Sequence, residues 1–473
     1  MKLGHRASHA PLHLPLHALL VLALTMPGAA LANSEIEQLR AEFEQKLKAL
    51  QQQYEARLKK LEAGEERLAS QPTQPMQPVT PPAAPAPLQA ASTAATAFNP
   101  EISLVLQGAY LGQKNIQNRQ INGFMPAAPD HAHDGGERGF TLGHSELTLS
   151  ANIDPMWRGH ANFSVEDDAV NVEEAWFQST SLGNGLSLRG GRFLSGIGYA
   201  NEQHPHAWDF SDASLLQRVL FGENLRQDGV QLKWLMPSDS FREFGIEVGR
   251  GQSFPGSPAG GNRNGAASWA AFAHSGDDIG LSHSWRAGLS YLASQPRLRE
   301  AHLEDTAGIE AKTTFSGKSS TWLADFVWKW APDGNAREQY LKLQAEAFRR
   351  VEHGELGCAD NRAEGGACNG TAGDYQSRQH GWYAQAVYQF MHGWRTGYRY
   401  DRLNPGRVEF SALPLATMDH RPTRHSLMTD YSPSEFSRFR LQLAYDKAMS
   451  GVIDRQVTLQ YIHSLGAHGA HRY

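Results

Sequence analysis

Imidazole and carboxylate side chains are concentrated in one segment, residues 195–227, where they lie close enough in sequence to act together. A His-x-His pair followed by carboxylates supplies nitrogen and oxygen ligands of the kind that Zn²⁺ binds. The alternative is that these groups only hydrogen-bond with their surroundings and hold a loop in shape. The members of the cluster are Glu202, His204, His206, Asp209 and Asp212.

A second set of potential metal ligands, His131, His133 and Asp134, lies in the segment 113–139. The chain has 21 histidines in all, too widely spread to define one site. We therefore predict no resident cofactor and leave Zn²⁺ open as a transported or regulating ion. If His204 and His206 attract divalent cations as neutral imidazoles, cation preference should fall as the pH drops through about 6.5.

The chain has two cysteines, Cys358 and Cys368, and both lie in the predicted loop 351–379. Two nearby loop cysteines in an oxidising compartment favour a disulfide. A metal pair is the weaker alternative, because neither cysteine has a histidine close in sequence. We predict a structural disulfide.

The secondary structure that must position these residues is predicted from the alternation of apolar and polar side chains along the chain. From residue 98 onwards, segments of about ten residues carry apolar or aromatic side chains at one parity and polar side chains at the other. Charge on one face of strand after strand is incompatible with a sandwich core, but it fits a barrel with a wet lumen. We predict an all-β fold, a transmembrane antiparallel β-barrel of about 16 strands, with about 18 as the alternative count.

Connections between the predicted strands alternate between short and long, as in outer-membrane barrels, where the long loops are external. The cluster at 195–227 occupies the longest of these loops, which we expect to fold into the lumen as a constriction. Residues 308–316 resemble a strand, but counting them as a wall strand breaks the alternation, so we place them inside a long loop.

The predicted lumen face carries charges of both signs. Such a wall imposes a transverse field and only a mild ion preference. The alternative is that the charges merely solvate the lumen. The cations are Arg189, Lys233, Lys342, Arg395, Arg399, Arg438 and Arg440, the anions are Glu146, Asp325, Glu346 and Asp401, and His144 and His160 lie nearby.

The segments before the barrel have different compositions. Residues 1–32 have the positive start, short apolar run and A-x-A site of a signal peptide. Residues 33–70 repeat apolar side chains every eleven residues, which predicts a short α-helical coiled coil. Residues 71–97 form a Pro/Ala-rich linker, and 98–473 form the outer-membrane β-barrel.

This organisation predicts the location and the partners. The formal charge of −5 excludes a strongly basic nucleic-acid binder, and the mean hydropathy of −0.49 excludes a multi-span helical membrane protein. We predict a protein of the outer membrane of a Gram-negative bacterium, in contact with lipid, with its coiled coil in the periplasm. A homotrimer would form through the barrel walls and residues 34–70.

Several stretches of the barrel region resemble proteins labelled zinc-regulated TonB-dependent outer-membrane receptors, a porin-like family related to the phosphate-selective porin superfamily. The resemblance implies an outer-membrane barrel and a link to zinc supply. The stretches that carry it are FNPEISLVLQGAY (98–110), ERGFTLGHSELTLSANIDP (137–155), GGRFLSGIGYANEQHPHAWDFSDASLL (190–216), QDGVQLKWLMPSD (227–239), VWKWAPDGNAREQYLKLQAE (327–346) and GWYAQAVYQF (381–390).

Chain length bears on the energy coupling that this family label implies. Spread over the 22 strands of a gated receptor, residues 98–473 leave about 17 residues per strand and none for an internal plug. We therefore predict a porin-like channel for passive uptake of small solutes or ions. The alternatives are a TonB-dependent metal receptor and a structural or adhesin barrel without transport. An enzyme is not predicted, because no G-x-S-x-G or H-E-x-x-H motif occurs.

Overall fold

The computed structural model describes residues 100–116, 119–125, 138–165, 169–411, 413–417 and 419–466. The predicted signal peptide, coiled coil and linker lie outside the described residues, as do His131, His133 and Asp134. No helix within the described ranges is both long enough and apolar enough to cross a lipid bilayer.

The strands form where the sequence alternates between apolar and polar side chains. In β12, Trp322 and Phe326 are 51% and 45% exposed on one face, whereas Leu323 and Asp325 are 2% and 5% exposed on the other. The strands are β1 Glu101–Gly112, β2 Gly139–Thr141, β3 Ser145–Asp154, β4 Trp157–Val165, β5 Val170–Ser179, β6 Leu186–Leu194, β7 Arg226–Leu235, β8 Phe241–Gly249, β9 Ser268–Ile279, β10 His283–Ser294, β11 Arg299–Glu304, β12 Glu310–Trp330, β13 Tyr340–Cys358, β14 Ala372–Met391, β15 Trp394–Phe410, β16 Thr423–Ser434, β17 Ser437–Lys447 and β18 Asp454–Gly466.

These strands close into an antiparallel barrel whose wall, in the described part of the chain, has sixteen positions. β1 pairs with β18 from Ser103↔Gly466 to Gly112↔Val457, and this ladder closes the barrel. β2 and β3 share one wall position, because both pair with β1. The predicted count of sixteen is confirmed.

Residues 308–316 belong to an extension of a wall strand. β11 pairs with the first residues of β12, from Arg299↔Phe315 to Glu304↔Glu310, while β10 pairs with the remainder of β12. β11 therefore continues the wall position of β10 beyond the end of that strand. As predicted from the alternation, the segment adds no wall position of its own.

One side of the barrel is taller than the other. β12 to β15 have 21, 19, 20 and 17 residues, against 9 to 13 for the other full wall strands, such as β4 and β18. The sequence pattern predicts long loops at 351–379 and 404–422. Both predictions are too long, because β13, β14 and β15 continue into these ranges. Apolar side chains from β11 to β15, including Phe315, Leu356 and Tyr375, form a small separate core there.

The disulfide between Cys358 and Cys368 joins the end of β13 to the loop before β14 and belongs to this upper core. Replacing both cysteines with Ala should lower the free energy of unfolding by about 2–3 kcal/mol, because the unfolded loop of ten-residue separation is no longer closed. Urea unfolding in detergent micelles measures this change. Reduction of the parent should reproduce it and leave the double variant unaffected, and equal stability of the two proteins would contradict the prediction.

The segment between β6 and β7, residues 195–225, is called the strap below. It contains a short 3₁₀ turn, Pro205–Ala207, and helix α1, Leu215–Phe221. Ser214 begins α1 by accepting a hydrogen bond from the Gln217 amide, and Gly222, at φ 84°, ends it in a backbone conformation that favours glycine. Helix α2, Pro258–Gly261, lies in the next long loop.

Candidate constriction site in the barrel lumen

The strap enters the lumen at the end of β6 and is anchored there through its backbone. The Gly196 amide donates to Glu247 of β8 at 2.8 Å, and the Tyr199 and Ala200 amides donate to Glu346 of β13 at 2.8 Å each. The irregular backbone of the strap does not pair these N–H groups within a helix or a sheet. Wall carboxylates accept their hydrogen bonds instead, as a buried loop requires. The predicted inward fold of this loop is what the structure has.

Helix α1 fixes the middle of the strap by burying apolar side chains inside the barrel. Leu215, Leu216 and Leu220 are fully buried, and they share one cluster with Phe348 of β13 and Tyr383 of β14. Burial of a leucine side chain contributes about 1.5–3 kcal/mol. Helix α1 therefore packs into the barrel interior as part of its apolar core.

Two strap carboxylates face the β13–β16 side of the wall, which is rich in cations. Asp209 lies 2.8 Å from Lys342 Nζ and 3.1 Å from Arg395 Nη1. Burial alone would raise the pKa of Asp209, but the two cations outweigh it and hold that pKa well below its usual range. Asp209 is therefore a buried, ionised anchor.

Asp212, three residues further along the strap, is also paired with two cations of the wall. Its carboxylate lies 2.8 Å from Arg399 Nη2 and 2.5 Å from Arg424 Nη2. Burial would again raise the pKa of Asp212, but Arg424 and Arg399 lower it well below the ordinary value. Arg399 also contacts Asp401, whose Oδ1 accepts the Leu215 amide at the start of α1.

The remaining predicted cations of this wall are also taken up by the strap. Arg438 donates to the carbonyl of His206, and Arg440 Nη2 donates to the carbonyl of Trp208 at 3.1 Å. Arg440 further pairs with Asp430 of β16 at 2.8 Å. The arginines of this wall that were predicted to face the permeating solute thus bind the strap instead, because carboxylate and carbonyl oxygens of the strap lie within hydrogen-bond distance of them.

The other side of the strap carries the histidines, and it faces carboxylates. His204 Nε2 lies 2.9 Å from Glu174, and His204 Nδ1 lies 3.2 Å from Glu146 and 3.8 Å from Glu173. His206 Nδ1 lies 2.9 Å from Glu146. The strap therefore offers positive charge to the acidic wall of β3 and β5, and negative charge to the basic wall opposite.

This environment changes the protonation of His204. Burial alone would lower its pKa, but the carboxylates of Glu146, Glu174 and Glu173 outweigh burial and raise the pKa to about 9. The carboxylates thus favour the imidazolium form of His204 at neutral pH, and an imidazolium offers no lone pair to a metal. The sequence suggested a neutral imidazole at this position, because the carboxylates that favour the protonated form come from strands far away in sequence.

The raised pKa predicts how stability depends on pH. The contribution of His204 is fully present below its unfolded pKa of about 6.5 and is lost as the pH rises through about 9. The thermal unfolding midpoint should therefore fall over this window, and His204→Gln should flatten the fall. His425→Gln, on the outer face beside Tyr398, is the matched control. A midpoint whose pH dependence is the same in parent and His204→Gln would contradict the assignment.

The other predicted site residues lie along the same side as the histidines. Glu202 pairs with Arg286 Nη2 at 3.0 Å and with Lys233 at 3.5 Å. Arg189 stacks over Trp176, 4.2 Å from the ring centroid. The nearby histidines also meet carboxylates: His144 lies 3.4 Å from Glu223, and His160 lies 3.7 Å from Glu174.

Among the described residues, no group of three or more His, Cys, Asp or Glu side chains is already placed to enclose a metal ion. His204 and His206 are brought together, with ring centroids 5.9 Å apart, but each is paired with a wall carboxylate. The arrangement found is one of charge pairs that hold the strap across the lumen.

Two wall carboxylates were missed because of a β-bulge. Asn162 pairs with Glu174 and Phe163 with Val172, so Glu173 is the extra residue of β5. The bulge turns two consecutive glutamates inward, and Glu173 and Glu174 are only 3% and 7% exposed. Strict alternation predicts that only one of two neighbours faces inward, so the pattern could not find both.

The strap divides the lumen unequally. On the β15–β17 side, Arg399 and Arg440 have side chains only 3% and 1% exposed. On the β7–β10 side, the side chains of Arg226, Glu202 and Arg286 remain 27%, 27% and 21% exposed. Of these charged side chains, the partly exposed ones lie along the wall from β7 to β10, which is called the open side below.

Comparison with known proteins gives few matches in sequence. No protein-family model matches the chain. An uncharacterised protein of Aquifex aeolicus strain VF5 is 28% identical over 412 residues, which cover 81% of this chain and 82% of that protein. The resemblance to zinc-regulated TonB-dependent receptors therefore stays a prediction.

Solved structures with a similar fold are outer-membrane proteins. A loop-deletion variant of OmpT of Vibrio cholerae has a TM-score of 0.48 at 10% identity, covering 78% of this chain and 99% of that chain. The channel DcaP of Acinetobacter baumannii gives 0.47 at 12%, covering 78% and 96%. An anion-selective porin from Comamonas acidovorans gives 0.44 at 11%, covering 78% and 99%.

Proposed function

We propose that the protein is a passive, porin-like channel of the outer membrane, which admits small solutes or ions along the open side of a strap-constricted lumen. The observation that carries the proposal is the distribution of charge. The barrel is apolar outside, as Trp322, Phe326 and Leu459 show with exposures of 45–51%, and it is charged inside. A lumen that serves only as a structural core has no need of partly exposed ionised groups.

The barrel size favours passive passage over energy coupling. The described wall has sixteen positions, the size of porins, whereas plugged energy-coupled transporters have about 22 strands. The element that crosses the lumen is a loop of the barrel itself, held by Glu346, Asp209 and Asp212. A TonB-dependent receptor is therefore the weaker interpretation.

Selectivity on the open side should be mild. Lys233, Arg226 and Arg286 are each paired with a glutamate, so cations and anions of the wall largely compensate one another. A permeating ion meets alternating local fields instead of a run of one sign. Small solutes of either charge are the substrate class that this wall fits best.

The assembly is proposed to be a homotrimer located in the outer membrane, with an exported, lipid-embedded barrel. The support is the apolar outer face together with the eleven-residue apolar repeat of residues 34–70. Crosslinking of the purified protein should give trimers, and fewer of them when Leu47, Leu50 and Leu58 are changed to Asp. An unchanged distribution would remove the helix from the contact.

Planar-bilayer recording tests the transport function directly. The refolded full chain should give small, discrete, voltage-independent conductance steps, and proteoliposomes should swell in small sugars before larger ones. A link to zinc predicts that micromolar Zn²⁺ reduces the current. A barrel that inserts and folds but passes neither ions nor sugars would contradict the proposal and leave a structural or adhesin role.

A further inference from the structure

Two hydrogen-bond acceptors face each other on the open side across a missing side chain. His274 of β9, Gly288 of β10 and Asp325 of β12 are direct neighbours across three strands. A Cβ atom at position 288 would collide with Asp325 Oδ2 and lie 2.7 Å from His274 Cδ2. The imidazole edge and the carboxylate therefore both lie over Gly288, and the Asp325 carboxylate takes up the room that a side chain at 288 would need.

Asp325 accepts no hydrogen bond from the described residues. The residue is 5% exposed, and neither carboxylate oxygen has a hydrogen-bond partner among the described residues. A buried carboxylate without donors is strongly unfavourable, so it must meet a proton, a water molecule or a cation. Which of these it meets is decided by its neighbours.

The neighbouring imidazole presents a second free acceptor. His274 is 2% exposed, and its Nδ1 lies 3.2 Å from Glu243 Oε1 and 3.1 Å from Arg286 Nη2. Arg286 Nη2 donates to Glu202 at 3.0 Å, and in one tautomer of His274 the Nδ1–H group donates to the Glu243 carboxylate, which makes a charge-assisted hydrogen bond. The lone pair is then on Nε2, which has no hydrogen-bond partner in the described part of the chain.

This is the arrangement that metal-binding histidines have. One ring nitrogen donates to a carboxylate, which fixes the tautomer, and the other nitrogen is left free for the metal. Charge favours a cation as well. Glu346 is the neighbour of Asp325 in the ladder between β12 and β13, and in the described ranges it accepts backbone N–H groups without pairing to a cation.

We propose that His274 Nε2 and Asp325 bind a divalent transition-metal ion of the class that prefers imidazole and carboxylate, such as Ni²⁺ or Zn²⁺. The two residues supply two ligands and water supplies the others, so the site is weak and exchangeable. As a step for permeating ions the site rests on the proposed function, because a channel needs binding that releases its ion. As a binding site it stands independently of conduction.

Calorimetric titration of the full-length protein with Ni²⁺ tests the site. His131 and His133 are first changed to Ala in every protein, so that the other predicted ligand set does not contribute. We expect one equivalent of Ni²⁺ to bind and to be lost in Asp325→Asn. Asp239→Asn, in the exposed turn between β7 and β8, is the matched control and should bind as the parent does.

Glu243→Gln is a second variant that tests the site if Asp325→Asn does not fold. It leaves both ligands in place but weakens the acceptor of Nδ1–H, so affinity for Ni²⁺ should fall by about 10–100-fold. Folding of each variant is checked by its shifted mobility on unboiled gels. A parent without Ni²⁺ binding, or an Asp325→Asn variant that binds as the parent does, would overturn the proposal and leave Asp325 protonated or hydrated.

The two proposals fail separately. Binding of Ni²⁺ to a barrel without conductance would remove the transport function and keep the metal site. Conductance without Ni²⁺ binding would keep the transport function and remove the metal site.

Discussion

Asp209→Asn is expected to lower the free energy of unfolding by about 3–5 kcal/mol, because it removes one partner of a buried charge cluster. Lys342 and Arg395, with side chains 13% and 12% exposed, would keep their charges beside a neutral amide. Asn is close to Asp in shape, so packing is preserved and the effect is electrostatic. Urea unfolding in micelles, followed by tryptophan fluorescence, measures it.

The matched control is an ion pair with similar geometry and more water. Asp228 lies 2.7 Å from Arg192, but their side chains are 28% and 38% exposed. Asp228→Asn should cost at most about 1 kcal/mol, since water screens such pairs. If Asp209→Asn costs no more than this control, Asp209 is not a buried anchor of the strap.

Asp209→Asn should also change selectivity. Lys342 and Arg395 would no longer be neutralised by the strap, so uncompensated positive charge lies in the lumen beside the strap. The reversal potential in a salt gradient should therefore shift toward anion permeability relative to the parent.

The barrel could be predicted from the sequence because each membrane-facing strand repeats one rule. An apolar outer face and a polar inner face require opposite parities. This alternation in the sequence predicts strands at 157–165 and 186–194, and β4 and β6 have these bounds. The rule weakens where β12 to β15 rise above the other strands. There segments such as His353–Cys358 do not alternate clearly between apolar and polar residues, so the sequence pattern assigned them to a loop.

The sequence could predict where along the chain the constricting loop lies, but not which residues that loop contacts. The length and composition of 195–227 indicated an inward loop, and the structure has it. The partners of that loop depend on three-dimensional neighbours such as Glu146 and Glu174, which lie 60 and 30 residues from the histidines they meet. His204 therefore looked like a metal ligand, while His274, in the middle of a strand, gave no sequence signal at all.

Excising the part of the strap that crosses the lumen is the second large change. Asn201 and Asn224 tie the two ends together, because the Asn224 amide donates to the carbonyls of Asn201 and Gln203 at 3.0 and 3.2 Å. Residues 204–223 can therefore be replaced by Gly-Gly without disturbing the closed base of the strap. A control variant replaces the exposed turn Arg362–Glu364 in the outer loop after β13 with Gly.

Single-channel conductance of this excision variant in a planar bilayer tests the central claim most directly, namely that the strap sets the size of the passage. Without α1 and the paired charges of Asp209 and Asp212, the basic wall is uncovered and the lumen widens. Conductance should rise several-fold over the parent and shift toward anions, while the control keeps the parent value. A folded excision variant with the conductance and selectivity of the parent, or with none, would contradict the account.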